Sequence, residues 1–430
     1  MSVENRLPAR AKVAVAASKL TGAVSRAAGR GSGAVIGGRV ALKVDPALLA
    51  RLTRGREVVL VSATNGKTTT TRLISHALRE RGPVASNALG ANMPAGITAA
   101  MAEDRQAGFA VLEVDEKYLP EVARQTKPRA IALLNLSRDQ LDRAAETRMM
   151  AQRWREGLAP GAAGAAPEGG TTVIANADDP LVVWAAGLAE HVVWVAAGQS
   201  WKDDAWSCPQ CGGVLEWPDT DWHCATCDFR RPEPSWRLDG DALVDPEGTR
   251  VGLTGLQLPG RANRANATSA AAVAAVFGVP PGPAVRQMEQ VTAVAGRYDT
   301  VVHQGWALRL LLAKNPAGWL ETFDLLGPAA PDSPPVLLSV NALGADGTDT
   351  SWLWDVDYTR LRGRRVLVIG QRRLDLAVRL QVAGVEFTVH DELGGALAAL
   401  PEPAAAAPPG PIDVIANYTA FQQLRTKVGS

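Results

Sequence analysis

The sequence has no long uninterrupted apolar run. Its most apolar stretch, Leu181 to Gly198, is broken by Glu190 and His191. That pattern suits a helix followed by a strand and not a membrane span. An excess of one charge is also missing. With 45 basic and 44 acidic side chains the net charge is +1, so no global pull toward nucleic acid is expected. The N-terminus has basic residues but neither a continuous apolar core nor a cleavage site. No signal peptide is therefore expected, and the protein reads as cytoplasmic. Cysteine is scarce: there are four, all between Cys208 and Cys227. If all four serve one purpose, no thiol remains as a nucleophile. Internal repeats are lacking too.

What is present indicates two or three domains, given 430 residues and a hydrophobic fraction of 47%. Val58 to Ser62 is a β-branched run, followed by a Thr-Asn-Gly turn and a helical pattern from Thr68 to Arg81. Phe109 to Val114, Ala130 to Leu134, Val173 to Ala175 and Val192 to Val195 continue as strands between helical segments. Such alternation predicts a largely parallel sheet with helices on both faces. After Arg297 the chain restarts, with strands at Trp306 to Leu312 and Val336 to Val340. A βαβ-like unit then runs through Arg365 to Ile369, Leu374 to Ala383 and Val385 to Val389. A final strand, Asp413 to Ala416, precedes a C-terminal helix. Pro160 to Gly170 and Pro401 to Pro411 read as loops. The stretch from Arg6 to Arg56 is locally basic, with Asp45 as its sole acid. It fits either an anionic partner or a solvated helical segment.

Ala63 to Thr71, ATNGKTTTT, joins the first strand to its helix. Phosphate binding needs inward backbone N–H groups at a helix N-terminus, a lysine for the β/γ-phosphates and a hydroxyl for Mg²⁺. Gly66, Lys67 and Thr68 supply them, although Val61 stands where the strict motif has its first glycine. A carboxylate opposite the loop is expected to complete the Mg²⁺ site. The acidic end of the next strand, Glu113, Asp115 and Glu116, offers it, with Glu113 first; such acids can also cap a helix.

Cys208 and Cys211 in CPQC and Cys224 and Cys227 in CATC have the spacing of a tetrahedral Cys₄ zinc ribbon. The surrounding insert, Trp206 to Phe229, has almost no aliphatic core, so a metal staple is what it needs. Two disulfides would be disfavoured in a cytoplasmic compartment. His223, next to Cys224, reads as a bystander.

The phosphate loop, LEVDE, LNLSRDQLDR (Leu134 to Arg143), NADDP (Asn176 to Pro180) and GRANRANATSAAA (Gly260 to Ala272) together resemble the central domain of Mur ligases. ALKVDPALLARL, SNALGANMPAGI (Ser86 to Ile97), the Cys₄ insert, LLAKNPAGW (Leu311 to Trp319) and DGTDTSWLWDVDY (Asp346 to Tyr358) narrow the resemblance. They point to the MurT family, ligase subunits of lipid II isoglutaminyl synthases. The resemblance implies an α/β fold: a Mur-ligase-like P-loop central domain with a Cys₄ zinc-ribbon insertion, plus a Rossmann-like α/β C-terminal domain. The expected divisions are a basic helical segment at 1–56, an ATP-binding domain at 57–296 with the ribbon at 206–230, and a ligase domain at 297–430.

The implied reaction phosphorylates the α-carboxylate of the stem-peptide D-glutamate of lipid II at the inner face of the membrane. Ammonia from a separate GatD-type class I glutaminase then displaces phosphate to give D-isoglutamine. Thr64, Asn65, Gly66, Lys67, Thr68 and Thr69 would bind ATP, Asn266 its adenine and Arg297 its phosphates. Thr68 and Glu113 would hold Mg²⁺. Asn87 and Asn92 would line the substrate side, and Lys314 and Asn315 would face the transferring phosphoryl group. Two departures stand out: Ala63 replaces the glycine usual in the Mur loop, and Asp139-Gln140-Leu141-Asp142 replaces DHLD.

A Cys–His glutaminase needs a third group to orient its histidine. In this family an aspartate of the ligase subunit is expected to supply it. Asp355 in SWLWD is the first candidate, with Asp349 and Asp357 close behind and Trp352 and Trp354 as interface aromatics. A turn acid beside two core tryptophans is the plainer reading. Two other functions share parts of this pattern. A stand-alone amino-acid ligase needs the ATP site but neither the ribbon nor SWLWD. A zinc-ribbon nucleic-acid-binding protein would want a basic ribbon, yet Glu216, Asp219, Asp221 and Asp228 make it acidic.

Overall fold

The computed structural model describes residues 7–27, 34–87, 91–138, 147–162, 169–199, 201–292, 298–330, 333–401 and 411–429. The chain divides into two compact units. The first comprises 1–136, 146–258 and 262–292; the second comprises 137–145, 259–261 and 293–430.

The first unit opens with three helices, α1 (Ala9–Ala27), α2 (Ala34–Val44) and α3 (Leu48–Thr53). A nine-stranded sheet follows, built from β1 (Glu57–Ser62), β2 (Val84–Ser86), β3 (Phe109–Glu113), β4 (Ala130–Leu133), β5 (Thr172–Asn176) and β6 (His191–Ala196). A two-stranded ribbon of β7 (Leu215–Glu216) and β8 (His223–Cys224) stands apart from that sheet. The sheet then resumes with β9 (Trp236–Asp239), β10 (Ala242–Val244) and β11 (Arg250–Gly252). The order is β11-β10-β9-β6-β5-β4-β1-β3-β2, parallel from β2 through β9. Central strands buried on both faces need unbroken apolar runs, which is why VVLV in β1 and AVL in β3 carry no outward polar residue. The helices packed on this sheet are α4 (Lys67–Leu78), α5 (Pro94–Glu103), α6 (Leu119–Thr126), α7 (Thr147–Leu158), α8 (Pro180–Ala186), α9 (Arg261–Val276) and α10 (Pro281–Met288). The core runs from Leu48 and Leu49 through Leu60, Leu112 and Leu133 to Trp154 and Val182.

The expected strands all form, and Leu181 to Gly198 is indeed helix then strand. The antiparallel extension β9–β11 was not legible. Its strands are three or four residues long, too short for a period to register.

The second unit is a six-stranded sheet of β12 (Tyr298–His303), β13 (Trp306–Leu312), β14 (Val336–Ser339), β15 (Val366–Ile369), β16 (Phe387–Val389) and β17 (Ile412–Ala416). Its order is β12-β13-β17-β14-β15-β16, with β12 antiparallel to β13 and the rest parallel. Helices α11 (Pro316–Leu326), α12 (Arg373–Val382), α13 (Leu393–Ala398) and α14 (Tyr418–Val428) complete it. Its own core includes Leu308, Leu337, Leu367, Val414 and Phe421. Among the described residues, no helix of the chain is long and apolar enough to cross a membrane.

Candidate functional site

β1 and β4 are parallel neighbours with Ser62 beside Leu133, so the residues following each strand lie next to one another. Asn135, just past β4, uses that position to fasten the phosphate loop. Its carbonyl accepts from the Thr64 N–H at 3.0 Å, and its Oδ1 from the Asn65 N–H at 2.9 Å. Its Nδ2 donates back to the Asn65 carbonyl at 3.0 Å. Gly66 then turns the chain with φ +86°, a left-handed conformation that suits glycine. A Cβ there would also lie 2.9 Å from Oδ1 of Asn266, so the α9 amide packs directly on the loop. Lys67 opens α4, leaving its first N–H groups at the loop.

The charges around this helix start are buried and paired. Lys67 Nζ curls over the loop, donating to the carbonyls of Ala63 and Thr64, and meets Glu116 Oε2 at 3.0 Å. Thr68 Oγ1 donates to Glu113 Oε2 at 2.8 Å, and Asn92 Nδ2 reaches Glu113 Oε1 at 3.3 Å. The register places Glu113 beside Val61 at the carboxyl end of the sheet, within reach of α4. Asn87 clamps the Glu113 backbone, accepting its N–H and donating to its carbonyl, each at 2.8 Å. Its Nδ2 also reaches the Ala91 carbonyl. Expected to line the substrate side, Asn87 is buried with its amide occupied by backbone, because it holds Glu113 in place. Asp115 caps the short turn 116–118 through the Lys117 N–H. Of the three acids in LEVDE, one thus meets the hydroxyl, one the lysine and one a cap. Hydroxyl and carboxylate oxygens are the donors Mg²⁺ prefers, and those of Thr68 and Glu113 already meet, so these residues fit that ion.

NADDP ties strand ends together. Asp178 accepts from the Ala197 and Gly198 N–H groups at 2.8 and 2.7 Å and takes both Nε and Nη2 of Arg231 on its other oxygen. Asp179 caps α8 and accepts from the Leu136 N–H at 2.8 Å. Complete burial pushes its carboxyl up to about 6 despite those three backbone donors.

The four cysteines converge. Their Sγ atoms all lie within 4.8 Å of one another, with Cys208–Cys227 at 3.7 Å and Cys211–Cys224 at 3.5 Å. Disulfides would bring sulfurs to about 2.05 Å. Tetrahedral thiolates about 2.3 Å from a zinc ion would sit roughly 3.8 Å apart, which this cluster matches. Backbone N–H groups of Gly213 and Thr226 point at the sulfurs of Cys211 and Cys224. Burial opposes ionisation of Cys224, but the Thr226 and Cys227 amides and the neighbouring Cys211 and Cys227 thiols together outweigh it and pull the thiol down to about 6. Cys227 has the Phe229 amide in its favour, yet burial and three adjacent sulfurs push it up to about 12. Four thiolates cannot share this space without a cation, so the donor set fits a metal. The insert docks through Trp222, whose Nε1 donates to the Ala177 carbonyl at 3.0 Å. Around it lie Leu215, Trp217 and Phe229, the small mixed core expected of an insert lacking aliphatics.

In the second unit, Asn315 caps α11 by accepting the Gly318 N–H at 2.9 Å, with Lys314 just before it. Asp355 pairs with Arg138 at 3.4 Å and is partly exposed. Asp349 and Asp357 each cap a short turn through the N–H of Ser351 and Thr359. The Ser351 amide also holds the Asp349 carboxyl below its usual range. The two tryptophans part company, because Trp352 is buried against Trp319 while Trp354 is 58% exposed with Arg379 stacked on it at 4.2 Å. Arg297 and Asp139–Asp142 lie outside the described residues.

Asn135 is the site residue that the sequence did not single out; its signal was a polar side chain closing a buried strand. Glu116 was one of three acids without a distinct role.

The Mur ligase middle domain family matches residues 61–207 and the MurT ligase C-terminal family residues 312–421. The lipid II isoglutaminyl synthase (glutamine-hydrolyzing) subunit MurT of Streptococcus pneumoniae is 31% identical over 387 residues, covering 82% of this chain and 83% of that protein. Its Staphylococcus aureus (strain COL) namesake is 29% identical over 398 residues, covering 87% and 89%. Among solved structures, MurF from Acinetobacter baumannii aligns with a TM-score of 0.63 at 17% identity, over 91% of this chain and 80% of that one. A pseudomurein peptide ligase type C from Methanothermus fervidus aligns equally well, at 0.63 and 17%, over 87% and 78%. Likenesses this remote show the fold alone.

Proposed function

The chain belongs to the MurT family and is an ATP-dependent ligase; from that premise we propose that it amidates the stem-peptide D-glutamate of lipid II with ammonia delivered by a partner glutaminase. The observation that carries this reading is the fate of the cysteines. All four in the sequence meet in one cluster, and we take zinc as its metal, so no thiol is left to hydrolyse glutamine. Ammonia must then come from elsewhere, and the curated relatives are named as subunits.

In the proposed reaction an oxygen of the α-carboxylate attacks the γ-phosphorus of ATP, and ADP leaves. Ammonia then attacks the carbonyl carbon of the acyl phosphate, inorganic phosphate departs with the C–O electron pair, and the nitrogen gives up one proton to leave the amide. Two anions must approach in the first step, and preorganised positive groups offset that repulsion. Lys67 provides one, held in reserve by Glu116 and two loop carbonyls until phosphates displace them. Thr68 and Glu113 would hold Mg²⁺, which when bound supplies charge neutralisation on the phosphates. Thr64, Asn65, Gly66 and Thr69 present the rest of the loop, and Asn266, packed on Gly66, would contact the adenine. Asn92, which donates to the Glu113 carboxylate, would face the substrate. By resemblance, Lys314, Asn315 and Arg297 contribute to phosphoryl transfer.

Asp355 is proposed to orient the histidine of the partner's glutaminase. Trp354 and the apolar outward residues of α12, Leu374, Val378 and Val382, offer the partner a face in the same unit. The test is amidation of lipid II by the purified chain with ATP and Mg²⁺, supplied with either ammonium or glutamine plus a class I glutaminase. Ammonium alone is expected to suffice. Asp355→Asn is expected to abolish most glutamine-dependent product and leave the ammonium reaction intact. Incorporation of a free amino acid, with ammonium inert, would instead establish the stand-alone ligase.

A further inference from the structure

We propose that the outward face of α1 is a docking surface for an anionic lipid bilayer. α1 is apolar on two sides. Ala11, Ala14, Val15 and Ala41 of α2 are buried on the inner side. On the opposite side Val13, Leu20 and Val24 are 59, 68 and 62% exposed, with Ala16 and Ala23 exposed among them. At 100° per residue these five fall on one stripe, and a soluble helix gains nothing by presenting it to water. Lys12 and Lys19 flank the stripe on one edge and Arg10 on the other, all exposed. The next helix adds Ile36, Arg39 and Lys43, exposed at i, i+3 and i+7.

Charge selects the occupant. No Asp or Glu occurs between Glu4 and Asp45. Asp45 itself is buried, bonded to the Ala47 N–H and to Arg51 at 3.1 Å, so it does not weaken the positive surface. A protein partner would be met by aromatic or arginine anchors, and lysine is depleted at such interfaces. Here aliphatics, with no aromatic among them, are edged by Lys12, Lys19 and Lys43 together with Arg10 and Arg39, whose stems can cover lipid while the charged heads reach phosphate.

The same surface is rigidly tied to the candidate site. α2 approaches α5 so closely that a Cβ on Gly38 would lie 1.8 Å from the Ala95 carbonyl oxygen. α5 begins directly after the loop whose Asn92 meets Glu113. A bilayer held by α1 would therefore lie at a fixed place in the unit that carries the phosphate loop. This inference stands apart from the reaction proposed above.

The experiment is co-sedimentation of the full chain with vesicles of phosphatidylcholine alone or with about 30% phosphatidylglycerol. It is run at about 50 mM and about 500 mM salt. Binding is expected with the anionic vesicles at low salt and little with the neutral ones. Leu20→Glu, and separately Lys12→Glu with Lys19→Glu, should each lower partitioning by roughly tenfold or more. Both sites are exposed, so ATP binding and Tm should stay unchanged. The idea is overturned if wild-type protein ignores anionic vesicles, if Leu20→Glu binds as wild type does, or if the stripe proves to join two copies in solution. A soluble carboxylate substrate separates the two readings: Leu20→Glu should amidate it normally, whatever happens on vesicles.

Discussion

The phosphate loop and the cysteine insert lie in one unit, yet they are held by opposite means. Around the loop, the fold itself fixes the turn and its charges: strand register sets Glu113 beside Val61, Asn135 ties the turn to β4, and Glu116 neutralises Lys67. The insert has two two-residue strands, a handful of aromatic contacts and four sulfurs within 4.8 Å of one another. One region is preorganised by a large apolar core, the other by the ion it is proposed to hold. A site that must release its ligand at each turnover belongs on the first kind of support, and a permanent staple can rest on the second.

Removing the metal should produce the largest effect. Structural zinc contributes on the order of 10 kcal/mol of apparent binding free energy in small modules. Chelation or Cys208→Ala is therefore expected to unfold residues 206–230, seen as proteolysis there and altered tryptophan emission, while ATP binding persists. Loss of ATP binding together with zinc would break the contrast. Next comes Lys67→Met, expected to lower turnover by about 10³, or about 4 kcal/mol, since it removes a preorganised charge from the transferring phosphate. Zinc content should not change. The smallest effect is expected from Asn135→Ala, which frees two loop groups at a cost of about 1–3 kcal/mol. It should weaken ATP binding more than it lowers Tm; an equal fall in both would mean that Asn135 serves stability and not the loop.

Much of this was legible along the chain because it is local. The parallel sheet follows from apolar runs such as VVLV and AIAL, and the loop from GKT between a strand and a helix. The cysteine cluster follows from its own spacing, since knuckle geometry is set within a few residues. What was not legible depends on neighbours distant in sequence. Asn135 reaches Asn65 across 70 positions, and a polar side chain closing a buried strand does not name its partner. The roles of Glu113, Asp115 and Glu116 could not be separated before α4 was seen against β3. Asn87, expected on the substrate side, also clamps the Glu113 backbone 26 positions away, which its own neighbours do not reveal. Trp352 and Trp354 looked alike in SWLWD, and a single short helical turn buries one and exposes the other.

By itself, then, the sequence determined the chemistry available to this protein. It supplies one lysine and a hydroxyl at a helix start, acids at a strand end, four cysteines paired by spacing, and an acid-free N-terminal stretch. Covalent neighbours and helical or strand periodicity suffice for those. The tertiary structure decided which acid faces which cation, which asparagine holds the loop, and that α1 keeps an apolar side uncovered. Those outcomes depend on sheet order and burial, which bring together residues that the chain keeps far apart.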